Sequence, residues 1–155
     1  MKIRVLAVGQ KMPAWVYQGV EDYTRRLPAD FRVEFEEVPL GQGRSGGDIK
    51  KALAKETQAL LGRIKDREKV IALDVQGKSW SSEKLADKAE NWRMEGRDLV
   101  LLIGGPDGLS KECLSRAEER WSLSDLTLPH PLVRVLLAEQ LYRAWTLLAG
   151  HPYHR

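Results

Sequence analysis

The chain has 155 residues, 43% of them hydrophobic and 30% charged, an ordinary balance for a soluble globular protein. Its length fits one domain, residues 1–155, with a real core. The formal net charge of +3 permits a polyanionic partner without requiring one. Cys113 is the only cysteine, which excludes disulfide frameworks and cysteine metal sites. No apolar run approaches the roughly 20 residues of a membrane span, and no secretory leader pattern opens the chain. A cytoplasmic protein is therefore expected.

Residues 3–8 read as a first strand ended by Gly9. Pro13 suits the first turn of a helix whose apolar face is Val16, Val20, Tyr23 and Leu27, and Pro28 stops it. Phe31, Val33 and Phe35 alternate with polar residues, which predicts a half-buried second strand. A glycine-rich loop at residues 41–47 follows. Asp48 then caps a second helix with Ile49, Leu53, Leu60 and Ile64 inward. Residues 70–73 form a third strand. Ser81 or Ser82 caps a third helix that buries Leu85, Ala89 and Trp92 and stops at Gly96. Residues 99–103 are an unbroken apolar run, as expected of a central parallel strand covered on both faces. Ser110 caps a fourth helix, with Leu109, Cys113 and Ala117 on one side. Spacing marks Cys113 as core, not nucleophile.

Residues 121–134 are harder to place, because they read as neither a clean helix nor a clean strand. Leu123, Leu126 and Leu128 are interleaved with Ser124, Asp125 and Thr127, and Pro129 and Pro131 bracket His130. The prolines hold the backbone extended and let a helix start at Pro131. The segment supplies a short fifth strand. Its remaining polar backbone groups need partners, either in an edge strand and loop or on a ligand. The last helix runs over residues 131–149 to Gly150. All but five of its residues 132–149 are apolar, the exceptions being Arg134, Glu139, Gln140, Arg143 and Thr146. A helix that apolar needs cover on most of its circumference, so a homodimer is expected. Strand and helix alternate throughout, which predicts an α/β fold with a mostly parallel sheet and flanking helices.

Few motifs carry chemistry by themselves. Gly41, Gly43 and Gly46 match G-x-G-x-x-G after a strand, the dinucleotide fingerprint. The following Gly47 and Asp48 look like the helix cap itself, so a basic surface loop around Arg44 is the better reading. Gly104, Gly105, Pro106, Asp107 and Gly108 follow the central strand. They fit either a tight turn or a place where a ligand approaches the backbone. His130, His151 and His154 are too scattered for a metal site, so no metal is expected. The tail His151, Pro152, Tyr153, His154 and Arg155 follows the apolar helix that pins it. Its aromatic ring, imidazoles and guanidinium suit stacking on a base and pairing with phosphate.

Taken together, several stretches resemble the RlmH (YbeA) family of the SPOUT class of methyltransferases. They are Leu102-Ile103-Gly104-Gly105-Pro106, Leu126-Thr127-Leu128-Pro129-His130, Tyr142-Arg143-Ala144-Trp145 and the His151-Pro152-Tyr153-His154-Arg155 tail, with Gly9-Gln10-Lys11-Met12-Pro13 near the start. The resemblance covers the whole chain. It implies a SPOUT fold with a C-terminal trefoil knot, which spacing alone does not predict, since threaded chains are exceptions to the usual topology rules. It implies S-adenosyl-L-methionine as methyl donor. The implied target is N3 of a pseudouridine in a hairpin of large-subunit ribosomal RNA, in the assembled 70S ribosome. Family donor contacts fall on Leu73, Gly104, Leu123, Ser124, Asp125, Leu126, Thr127 and Leu128, with Gly105 beside them. Tyr153, His154 and Arg155 are the candidates for positioning the base, removing its proton and stabilising charge. His130 is assigned instead to capping the last helix. A transfer RNA methyltransferase of the same class and a non-catalytic RNA-binding module are the rival functions. The lack of an added RNA-binding domain disfavours the first; the glycines and leucine segment disfavour the second.

Overall fold

Five strands form one parallel sheet in the computed structural model, which describes residues 1–41 and 48–154. They are β1 (Lys2–Val8), β2 (Arg32–Val38), β3 (Lys69–Ser79), β4 (Leu99–Ile103) and β5 (Glu119–Ser122). Their spatial order is β2-β1-β4-β3-β5, and every pairing is parallel. Parallel neighbours need a crossover. The crossovers are α1 (Ala14–Thr24), α2 (Ile49–Gly62), α3 (Ser82–Glu95) and α4 (Lys111–Arg116), and α5 (His130–Ala149) follows β5. Among the described residues no helix is long and apolar enough to cross a membrane.

The unbroken run of β4 is buried along its whole length, and side-chain alternation divides it between two cores. Leu99, Leu101 and Ile103 join Ile3, Val5, Leu85, Trp92, Leu137 and Leu141 on one face. Val100 and Leu102 join Leu6, Val70, Leu60 and Cys113 on the other. Cys113 is thus a packing residue, fully buried. Helix α5 packs on both α1 and α3, and its Leu137, Leu141 and Ala144 share a core with the strands. The approach of α1 is close: a Cβ at Gly19 would stand 3.2 Å from the Val135 side chain. Neighbours in the same chain therefore supply much of the cover that the apolar helix demands.

Three local expectations shift. Phe31 is fully buried, but in a 3-10 turn (Ala29–Phe31) ahead of β2. Helix α2 turns Ala52, Glu56, Thr57 and Leu60 inward and leaves Ile49 47% exposed. Polar bonds set that rotation, where apolar periodicity does not. Glu56 Oε2 accepts the Gly41 N–H at 2.8 Å, and the Thr57 hydroxyl donates to Ser110 Oγ at 2.7 Å. Strand β3 continues past Leu73 to Ser79, because its pairing with β5 resumes after a register shift: Leu73 and Lys78 both stand opposite Trp121. The caps follow the sequence: Asp48, Ser81 and Ser110 each accept a first-turn N–H, and Gly96 and Gly150 end helices with φ of 72° and 70°. Of the 41–47 loop, residues 42–47 lie outside the described residues.

Candidate active site

The carboxyl ends of β1, β4 and β5 and the stretch of β3 at Leu73 open onto one cavity of about 580 Å³. Ligands of open parallel sheets sit at that edge, and small-molecule pockets span roughly 300–1,000 Å³. Val8 and Gly9 follow from β1, Leu73 and Asp74 from β3, Ile103 and Gly104 from β4, and Trp121 and Ser122 from β5. Trp121 is buried and stacks on Trp80 with ring centroids 4.7 Å apart, which makes a rigid floor.

The turn after β4 is both a tight turn and a cavity wall. A Cβ on Gly104 would lie 2.5 Å from the Gly108 carbonyl carbon, and one on Gly105 would lie 3.0 Å from Val8 Cγ1. Gly105 bridges to Gly108, whose N–H donates to the Gly105 carbonyl at 3.0 Å. The turn's own backbone excludes a side chain at Gly104, and the Val8 side chain crowds one at Gly105, so this wall stays bare.

Residues 123–129 belong to no helix or strand. Two serines organise them: Ser122 Oγ donates to the Ser124 carbonyl at 3.0 Å, and Ser124 Oγ accepts the Leu126 N–H at 2.9 Å. Leu123, Ser124, Leu126 and Leu128 line the cavity, with Leu73, Gly104 and Gly105 opposite. Asp125 and Thr127 are exposed and lie outside the lining. The fold thus brings together seven of the nine residues assigned to the donor site. Sequence reasoning missed Met12, Asp74, Trp121 and His130 as wall residues. The Gly9-Gln10-Lys11-Met12-Pro13 stretch was the one available signal for the first.

His130 does not cap α5; Pro129 occupies the cap without a side-chain bond. The imidazole instead links the site together. Its Nδ1 lies 3.1 Å from the Gly104 carbonyl, and Arg134 Nε donates to its Nε2 at 2.9 Å. Arg134 is 2% exposed. It also donates to Glu37 Oε2 at 2.6 Å and to the Gly9 carbonyl at 2.8 Å. Burial, then the Arg134 charge, pushes the His130 pKa below its ordinary value.

The tail sits elsewhere. A 3-10 turn (Pro152–His154) folds back on the end of α5. Tyr153 Oη donates to Glu139 Oε2 at 2.9 Å, its ring meets Tyr142 edge-on at 4.7 Å, and the Arg143 guanidinium lies 5.1 Å from its centroid. Burial and the Glu139 carboxylate push its phenol pKa far upward, so Tyr153 is a neutral hydroxyl near neutral pH. His154 lines a separate polar cavity of about 300 Å³ with Ser82, Glu83, Gln140 and Arg143. Its Nδ1 is buried with no hydrogen-bond partner among the described residues. Arg155 lies outside the described residues. Neither Tyr153 nor His154 lines the larger cavity. Folded back, Tyr153 meets α5 at Glu139, nine residues and about 14 Å along the helix from His130 at 1.5 Å per residue. Among the described residues no group of three His, Cys, Asp or Glu side chains could hold a metal ion.

A family model described as "Predicted SPOUT methyltransferase" matches residues 1–154. The chain belongs to the SPOUT methyltransferase family. Full-length likeness agrees with this membership. The chain is 61% identical over 155 residues to a Chromohalobacter salexigens protein named "Ribosomal RNA large subunit methyltransferase H", with 100% of both chains covered. It is 54% identical to a protein of the same name from Marinomonas sp., again with 100% of both covered. Among solved structures, a methylase-family protein from Haemophilus influenzae Rd KW20 superimposes with a TM-score of 0.59 over 99% of this chain and 70% of that one, at 11% identity. One from Neisseria gonorrhoeae gives 0.52 over 96% and 93%, also at 11%. At such identities these two speak for the SPOUT fold alone.

Proposed function

We propose that this SPOUT methyltransferase transfers the methyl group of S-adenosylmethionine to N3 of a pseudouridine in large-subunit ribosomal RNA, acting on the assembled ribosome. The observation that carries the donor site is the cavity at the sheet's carboxyl edge, with bare glycine walls on one side and leucines on the other. The ribosomal target is supported by the name shared by relatives that match over the full length, and the choice of N3 by the resemblance of the motifs. The cavity suits the donor. Leu73, Leu123, Leu126 and Leu128 offer apolar walls to an adenine, and Asp74 and Ser124 offer polar groups to its hydroxyls and ammonium. The C-terminal trefoil knot of the class is carried over to this chain as part of the same reading.

The donor, when bound, supplies an activated methyl on a sulfonium. The chain's work is to hold it in line with the attacking nitrogen, and positioning accounts for much of the rate of such a transfer. The N3 proton leaves before or during attack, and a cation beside the base carbonyls stabilises the charge that builds. Tyr153, His154 and Arg155 remain our candidates for the RNA side. With Tyr153 neutral, it positions the base, while His154 is the group suited to take the proton. Tyr153 and His154 do not line their own chain's donor cavity. A second copy that brings its tail to the cavity would complete the site, and we propose the homodimer on that reading.

Titration calorimetry tests the donor site. The protein alone, without RNA, is expected to bind S-adenosylmethionine at micromolar concentration. Absence of binding refutes the assignment of the cavity.

A further inference from the structure

Arg134 is the largest side chain among those fully buried, and burying a guanidinium is costly unless every charge and donor is met. Here all three nitrogens are engaged, and the partners come from three separate parts of the fold. Nη2 donates to the Gly9 carbonyl after β1, Nη1 to Glu37 on β2, and Nε to His130 at the start of α5. Glu37 Oε2 also accepts from Tyr17 Oη at 2.8 Å, and that hydroxyl accepts the Met12 N–H at 3.0 Å. His130 extends the chain of bonds to the Gly104 carbonyl after β4. Gly9, Met12, Gly104 and His130 all line the donor cavity.

We propose that Arg134 and His130 are positioning residues that lock three walls of the donor cavity in one arrangement, through a His130 ring that must be neutral. The proposal rests on the assignment of the cavity to the donor. The bonding fixes the tautomer. Arg134 Nε can only donate, so His130 Nε2 accepts, and Nδ1 carries the hydrogen that goes to the Gly104 carbonyl. A proton on Nε2 removes that acceptor and sets two cations against each other. The charged groups facing the ring are Arg134 on its own helix and Glu37 from β2. Glu37 already accepts from Arg134 and Tyr17. Acid therefore frees Arg134 from His130 and loosens the link between the Gly9 and Gly104 walls.

The experiment is calorimetry of S-adenosylmethionine binding between about pH 4.5 and pH 7.5, a window that reaches well below the lowered His130 range, by the wild type, His130→Gln and Arg134→Lys, each with a thermal unfolding curve. Glutamine keeps an acceptor for Arg134 but does not titrate. Lysine keeps the charge but cannot reach three acceptors in a fork. Wild-type affinity is expected to fall about tenfold toward the acid end, the scale of one lost hydrogen bond to a charged group. His130→Gln is expected to bind more weakly at neutral pH with a flat profile, and Arg134→Lys about tenfold more weakly while still folded. Parallel pH profiles for wild type and His130→Gln overturn the proposal, as does Arg134→Lys binding within twofold of wild type. If Arg134→Lys fails to fold, the comparison of the two profiles still decides. A wild type that binds no donor at any pH overturns the cavity assignment, and this proposal with it; intact binding with a flat wild-type profile overturns the lock alone.

Discussion

Gly104→Ala is the sharpest perturbation of the cavity wall. The added methyl would stand 2.5 Å from the Gly108 carbonyl carbon, 2.8 Å from its oxygen and 2.9 Å from the Leu109 nitrogen. All three are backbone atoms, so no side chain can swing aside and the turn itself must open. Overpacking costs typically 1–3 kcal/mol, and a backbone obstacle puts this case at about 2–3 kcal/mol. For a chain of this size 1 kcal/mol moves the melting temperature by about 2–4 °C, so a fall of about 4–12 °C is expected. The opened turn also moves the carbonyl that His130 holds, and donor affinity should drop at least about tenfold. Gly96→Ala is the control. Gly96 closes α3 at a φ of 72° with open space around a Cβ, away from the cavity. It should cost about 1–2 kcal/mol, the penalty of left-handed backbone, with donor binding unchanged. Calorimetric melting and donor titration at one fixed protein concentration read both effects. A Gly104→Ala variant that melts within about 1 °C of wild type and binds normally refutes the account of this wall.

The homodimer is checked by light scattering with two leucine variants. Leu137 is fully buried in the sheet-side core, so Leu137→Glu should unfold the chain, whereas Leu132, 37% exposed, should yield a folded monomer as Leu132→Glu. A wild type that is monomeric at micromolar concentration removes the dimer and the shared-site argument together. Deleting residues 153–155 should abolish methylation of ribosomes while donor affinity stays within a few-fold. Loss of donor binding instead would move the tail into the donor cavity. Because Trp121 lines the cavity and stacks on Trp80, donor binding should quench tryptophan fluorescence, and in Gly104→Ala the quenching should need at least about tenfold more donor.

Where local chemistry decides structure, the sequence was a sufficient guide. The β4 run, the caps at Asp48, Ser81 and Ser110, and the stops at Gly96 and Gly150 all stand where residue type put them. The misjudged features depend on partners distant in the chain. The rotation of α2 is set by a carboxylate reaching Gly41, and β3 lengthens because of its bulged pairing with β5. The site divides the same way. Glycine after a buried strand and a leucine-rich irregular segment were legible as a candidate ligand edge, and seven assigned residues meet there. The two that do not, Asp125 and Thr127, alternate with leucines that do, and alternation cannot say which side faces in. His130 looked like a helix cap because it sits between Pro129 and Pro131, and the Gly104 carbonyl that it bonds lies 26 positions away. The tail could be read as pinned, but not as folding back onto Glu139, outside the cavity lining.

The central claim is tested most directly by incubating the protein with ribosomes lacking this modification and isotopically labelled S-adenosylmethionine, then mapping the label by nuclease digestion and mass spectrometry. One labelled methyl at N3 of a single pseudouridine in large-subunit ribosomal RNA, formed on assembled ribosomes, is the expected result. Label on transfer RNA, on another atom, or on no RNA at all would contradict it.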